Sequence, residues 1–258
     1  LEDLDRTHPT HPGVLATRLA AVASVGDHRT LHEVAGRYVK VRPNDPGSHL
    51  ALAESYLQNG WLALALRAYR EFIARWPDDE AAADARKTVA TIEKHLPETL
   101  TTAGLVGEVG FAHACLHEEV LSHLSTGRAA DARKAAEHLL TLRPDFAPAM
   151  NNLTAALVLE GNLVGAIDAC RRVLGLKPDN VHARANLVRL LFLSGRHADA
   201  AAEAVALKQF TPARGDERVK VAEALSFLGD DEGVLAALDG LGRNPPPDTA
   251  GMAGHLAA

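Results

Sequence analysis

The residues best suited to chemistry gather in one short stretch: His113, Cys115, His117, Glu118 and His123. Imidazole, thiolate and carboxylate all ligate zinc, so a metal site is the first chemistry to test. On a helix, His113 and His117 lie four apart and share a face. Cys115 falls about 200° round from His113, and His123 about 240° round from His117. Two converging ligands are short of the four that a structural zinc site needs. A zincin reading fails too, because Leu121 follows His117-Glu118 where the second histidine must stand. Neither a metal nor a cofactor is expected.

Nucleophilic catalysis finds no better support. Ser55 and Ser122 sit in no Gly-x-Ser-x-Gly elbow and read as ordinary helix residues. Cys170 falls on an apolar stripe, where a free cysteine behaves as a small hydrophobe. Cys115 has no visible base and orienter. The carboxylate pairs Glu118/Glu119 and Asp230/Asp231 fall at helix ends and solvated faces. Gly104, Gly107 and Gly110 have a phosphate-loop look, but no Lys-Ser/Thr follows and no strand precedes. They read as a flexible or kinked junction. No catalytic residue is expected, and the chain reads as a non-enzyme.

The whole chain sets the same limits. Lys+Arg is 27 against Asp+Glu 33, a net charge of −6, which argues against a general nucleic-acid binder. Aromatic residues at 4% leave little for base stacking. Two cysteines make no disulfide framework and suit a reducing compartment, so a cytoplasmic location is expected. No apolar run approaches the ~18–20 residues of a membrane span, so no membrane partner is expected.

What must position these residues is a repeat. Pro9, Pro43 and Pro77 are 34 apart, as are Pro144, Pro178, Pro212 and Pro246. Gly26, Gly60, Gly127, Gly161, Gly195 and Gly229 each lie 17 residues before a framed proline. Within 147–180, Met150, Leu153, Thr154 and Leu157 mark one helical face, and Ala166, Ile167, Cys170, Val173 and Leu174 mark a second. Gly161 ends the first helix and Pro178 prevents continuation of the second. Strand signals are absent, so the chain reads as all-α. A helix pair this short cannot bury its own apolar face, and stacked antiparallel pairs give a solenoid. Ala65, Ala132, Ala166 and Ala200 share the place five after the glycine, which implies close helix contact in each unit.

The pattern resembles the tetratricopeptide repeat family. Leu52-Ala53-x-x-Tyr56, Gly60, Ala65-x-x-x-Tyr69 and Pro77 come close to its signature. Residues 147–180 and 181–214 keep the Leu, Gly, Ala and Pro places, while Leu157, Cys170, Leu191 and Ala204 hold the aromatic ones. The resemblance implies a right-handed superhelix whose first helices line the concave face, with a partner-binding or scaffolding role.

The organisation expected is as follows. Residues 1–11 end a preceding repeat or form an N-terminal capping helix. A first block spans 12–96, with two regular repeats plus one helix. An irregular junction covers 97–112, where Lys94 and Phe111 replace the framed glycine and proline. A second block of four repeats runs over 113–248, and 249–258 form a disordered tail.

Asn152 and Asn186 are 34 apart, one place before the core residues Leu153 and Leu187, toward the expected concave face. An amide offers both donors and an acceptor to a ligand's backbone. The resemblance implies an asparagine ladder of the kind that grips peptide in some members of the family. Asn151, His182, Arg189, Lys220 and Glu223 complete the candidate groove, with the two cations placed to favour an acidic side chain or a C-terminal carboxylate. The function read from this is a protein–protein interaction scaffold holding a partner's peptide or loop. A regulatory or substrate-positioning region of a larger enzyme or signalling protein is the alternative, and an RNA-binding helical repeat a third. Neither the partner's identity nor an oligomeric state can be read from these residues.

Overall fold

The period becomes structure through its stops. The computed structural model describes residues 2–239 and 241, and among these it contains fourteen α-helices and no strand. All six framed glycines adopt the left-handed conformation, with φ from 67° at Gly229 to 77° at Gly161. Only glycine enters that region without a steric penalty, and its amide then turns back onto the last helical carbonyls. After α9, Gly161 N donates to Val158 O at 2.9 Å and Asn162 N to Leu157 O at 2.8 Å.

The chain forms two compact units, residues 1–135 and residues from 136 onward. The first holds α1 (Glu2–Thr7), α2 (Pro12–Val25), α3 (His28–Val41), α4 (Pro46–Gln58), α5 (Leu62–Arg75), α6 (Ala82–Thr102) and α7 (Gly107–Ser125). The division falls inside α8 (Ala129–Leu142). The second unit holds α9 (Ala147–Leu159), α10 (Leu163–Leu176), α11 (Val181–Leu193), α12 (His197–Leu207), α13 (Gly215–Ser226) and α14 (Asp231–Leu238). Within the units α2/α3, α4/α5, α9/α10, α11/α12 and α13/α14 pack as pairs, and each pair packs on the next.

In the regular pairs each apolar face is covered by a neighbour. In the first unit Ala53, Ala65, Leu66, Tyr69, Phe72, Ile92 and Leu96 cluster; in the second, Ala185, Val188, Ala204, Leu207, Val221 and Leu225 do. Ala65, Ala132, Ala166 and Ala200 have no exposed surface, as the shared small-residue place requires. The helix required over 1–11 is α1, whose Asp5 is buried against Arg18 and Arg37, with Arg37 Nη1 donating to it at 2.9 Å.

The stretch 97–112 departs from expectation. It is helical except at 103–106, because α6 runs through Pro97 to Thr102. An interior proline costs a helix about 3 kcal/mol, but burial of Leu96 and packing of Leu100 against α5 outweigh it. The glycine stop missing at Lys94 is moved to Gly104, φ 70°, where Leu105 N donates to Leu100 O at 2.8 Å. The three spaced glycines therefore build a turn. Gly110 packs so tightly that a Cβ there would lie 2.4 Å from the Leu105 carbonyl carbon.

Helix α7, assigned from sequence largely to the second block, belongs to the first unit. It does not run back along α6 as a regular second helix would. Its start lies beside Leu66 and Arg70 of α5, its middle meets the N-terminus of α5, and its end meets α3. Among the described residues no helix is long and apolar enough to cross a membrane. The tail expected over 249–258, and Pro246 of the framed series, lie outside the described residues.

Candidate functional site

The candidate residues are carried by the first helices of successive pairs in the second unit. Asn151 and Asn152 stand on α9, His182, Asn186 and Arg189 on α11, and Lys220 and Glu223 on α13. Lys220 is 34 after Asn186, so the ladder place reads Asn, Asn, Lys across three helices, with Arg189 and Glu223 sharing another place. All seven side chains are half-buried, as residues on a partly covered helix face should be. The amides of Asn151 and Asn186 make no hydrogen bond to any described residue and are not sealed from solvent. Asn152 does have a partner within the chain.

The charges in this set are paired with one another. Glu223 accepts from Lys220 Nζ at 2.8 Å and lies 3.5 Å from Arg189 Nη1. One carboxylate thus serves both cations, since Arg189 and Glu223 meet where α11 packs on α13. Arg189 Nε is buried without a partner among the described residues, leaving part of its fork unused. His182 is likewise engaged: its Nε2 is 3.2 Å from Asp216 Oδ2, with Arg214 Nη2 at 3.3 Å. The Arg214 guanidinium, and His182 behind it, hold the Asp216 carboxyl below the usual carboxylate range. An acidic ligand at Arg189 and Lys220 would have to compete with Glu223.

The residues first tested for chemistry all lie on α7 in the first unit, and among them Glu118 holds that helix in place. Glu118 accepts from the backbone amides of Ala63 at 3.1 Å and Leu64 at 2.7 Å. A carboxylate at a helix N-terminus satisfies orphan N–H groups and meets the positive end of the dipole. Its burial nonetheless pushes Glu118 up to about 7, with the amides and Arg67 pulling the other way. Next to it, Glu119 accepts from Arg67 Nη2 at 2.7 Å. Cys115 is buried and pushed to about 11, and Cys170 in the second unit likewise, so both are poor nucleophiles. Among the described residues no group of three His, Cys, Asp or Glu side chains could hold a metal.

Sequence reasoning missed one cluster. His32 of α3 lies 3.0 Å from Ser55 Oγ through Nδ1 and 2.8 Å from Ser122 Oγ through Nε2. Trp61 packs edge-on at 4.9 Å and Tyr56 at 5.3 Å. A serine–histidine contact invites a nucleophile reading, but all three polar residues are buried, and burial holds His32 down to about 4. No substrate reaches a hydroxyl sealed in this way. The cluster ties α3, α4 and α7 together by satisfying every polar group it buries.

Two tetratricopeptide repeat models match the chain, one over residues 157–220 and the other over 29–86 and 117–181. No curated protein matches it. Among solved structures, Pseudomonas aeruginosa PilF matches at 12% identity over 96% of this chain and 97% of its own, with a TM-score of 0.43. A tetratricopeptide repeat protein of Parabacteroides merdae matches at 14% identity, 78% and 80% coverage and a TM-score of 0.45. A complex of the yeast Sti1 TPR2AB domain with pHSP90 matches at 18% identity, 92% and 88% coverage and a TM-score of 0.39.

Proposed function

The chain belongs to the tetratricopeptide repeat family, a protein-interaction scaffold fold, and on that premise we propose that it is a non-catalytic scaffold holding an extended peptide or loop of a partner protein. The peptide lies across α9, α11 and α13 and is held by Asn151, Asn152, Asn186 and Lys220, with His182, Arg189 and Glu223 at its edge. The observation that carries this is the half-buried amide of Asn186, unbonded within the described residues and in register with Asn152 and Lys220. An amide in that position meets a peptide group's donor and acceptor together. With Glu223 between the cations, the reading favours recognition of ligand backbone over recognition of ligand charge.

The test is selection of binding peptides from a random library on the intact chain, followed by titration against Asn152→Ala/Asn186→Ala. Loss of about 1–3 kcal/mol of affinity with an unchanged circular dichroism spectrum is the expected result. Equal affinity in a folded double variant moves the site off these helices.

A further inference from the structure

The first unit holds a helix without its regular partner. In the pairs α2/α3 and α4/α5 the second helix runs back along the first. After α6 that course is abandoned, since α7 leaves across α5 toward α3. Part of the place a second helix would take on α6 stays open, and it forms a cleft of about 480 Å³. Leu66 of α5, Leu96, Pro97 and Leu100 of α6, and Leu105 and Phe111 supply its apolar surface. Val106 also lines it and is 71% exposed.

We propose that this cleft, separate from the asparagine face, docks an amphipathic helix of a partner protein that presents apolar side chains one turn apart and a flanking Lys or Arg. The shape follows from the vacancy: one helix face unpaired, beside a neighbour already in place, is the groove that a second helix fills. The charge follows from the rim. Arg70 is matched by Glu93, its Nη2 donating to Oε1 at 2.6 Å, whereas Glu108 has no ion-pair partner among the described residues. Two carboxylates against one guanidinium leave the lining with one uncompensated negative charge, and Glu108 is exposed where an incoming cation can reach it. The volume lies within the ~300–1,000 Å³ of ordinary ligand clefts.

The probes are three synthetic helices of about 16 residues: one with leucines at i, i+4 and i+7 among lysines, its glutamate counterpart, and a lysine peptide with the leucines scrambled off one face. Each is titrated into the ¹⁵N-labelled full chain and followed by amide shifts. The ordered lysine peptide should bind tightest and shift residues 66–70 and 93–111. Thr101→Trp, an exposed position on the lining that leaves the core untouched, should weaken it by at least about tenfold through filling the cleft. Glu108→Lys should lower the preference for lysine over glutamate peptide by about twofold to fivefold, the size of one exposed charge contact. Shifts confined to other residues, equal binding of the scrambled peptide, or indifference to both variants overturns the proposal.

Discussion

Replacing Glu118 by Gln should tilt the pH profile of stability in a direction fixed by the structure. Glu118 titrates near 7 in the folded chain against 4.5 when solvated, so the folded state holds its proton more tightly between those values. The stability this contributes is present below about 4.5 and is lost as pH rises through 7, by about 3 kcal/mol at 1.36 kcal/mol per unit. His32 works against it. Its folded value of about 4 against 6.5 means that the unfolded chain binds the proton better, and stability is lost as pH falls from 6.5 toward 4. His117 and His123 are lowered as well and act in the same sense as His32. In the wild type, acidification therefore stabilises through Glu118 and destabilises through the histidines, and since His32 alone matches Glu118, His117 and His123 tip the balance toward loss of stability at low pH. A glutamine does not titrate. The Glu118→Gln chain should gain about 3 kcal/mol relative to wild type as pH rises from about 4.5 to 8, and should fall in stability on acidification. Urea melts followed by tryptophan fluorescence report this unit directly, because Trp61 and Trp76 both lie in it. Profiles that stay parallel within about 0.5 kcal/mol would refute the argument that burial governs the Glu118 proton.

Two further substitutions test the packing. Gly110→Ala should destabilise the first unit by at least about 2 kcal/mol in the same melts, since its Cβ meets the backbone of Leu105 rather than a movable side chain. Ala200→Leu should cost about 1–3 kcal/mol by overpacking a place with no exposed surface, read by circular dichroism in urea. A wild-type midpoint in that variant contradicts the repeat register.

The regular units were legible because their signals are local and periodic. A glycine that must enter positive φ and a proline that must end a helix announce themselves in one residue each, and a 34-residue recurrence makes coincidence untenable. The candidate face was legible for the same reason, as Asn152 and Asn186 follow the period. What the period cannot carry are contacts between unlike units. Glu118 reaches Ala63 and Leu64 from more than fifty residues away, and Ser122 reaches His32 across 90. Pro97 likewise misled, since its helix-breaking tendency is local and the burial that overrides it comes from α5. Glu223 stood among the candidates, but its pairing with Arg189 depends on how α11 and α13 approach.

One local feature accompanies the departure of α7. The residue after each framed glycine is the N-cap of a second helix, and Asp27, Asn162 and Asp230 accept there from Thr30, Gly165 and Gly233 at 3.0, 2.9 and 3.0 Å. In α5 that place is Trp61 and in α12 it is Arg196, and neither side chain accepts from the helix end. The orphan amides of α5 are therefore left for a partner from elsewhere in the chain, and the carboxylate of Glu118 takes two of them. The same Trp61 packs on His32, whose Nε2 meets Ser122, so it lies beside two of the contacts that anchor α7. Asp at position 61 would supply a local cap and remove the aromatic contact together. The helix that breaks the repeat is thus held in part where α5 lacks the side-chain cap that α3, α10 and α14 carry.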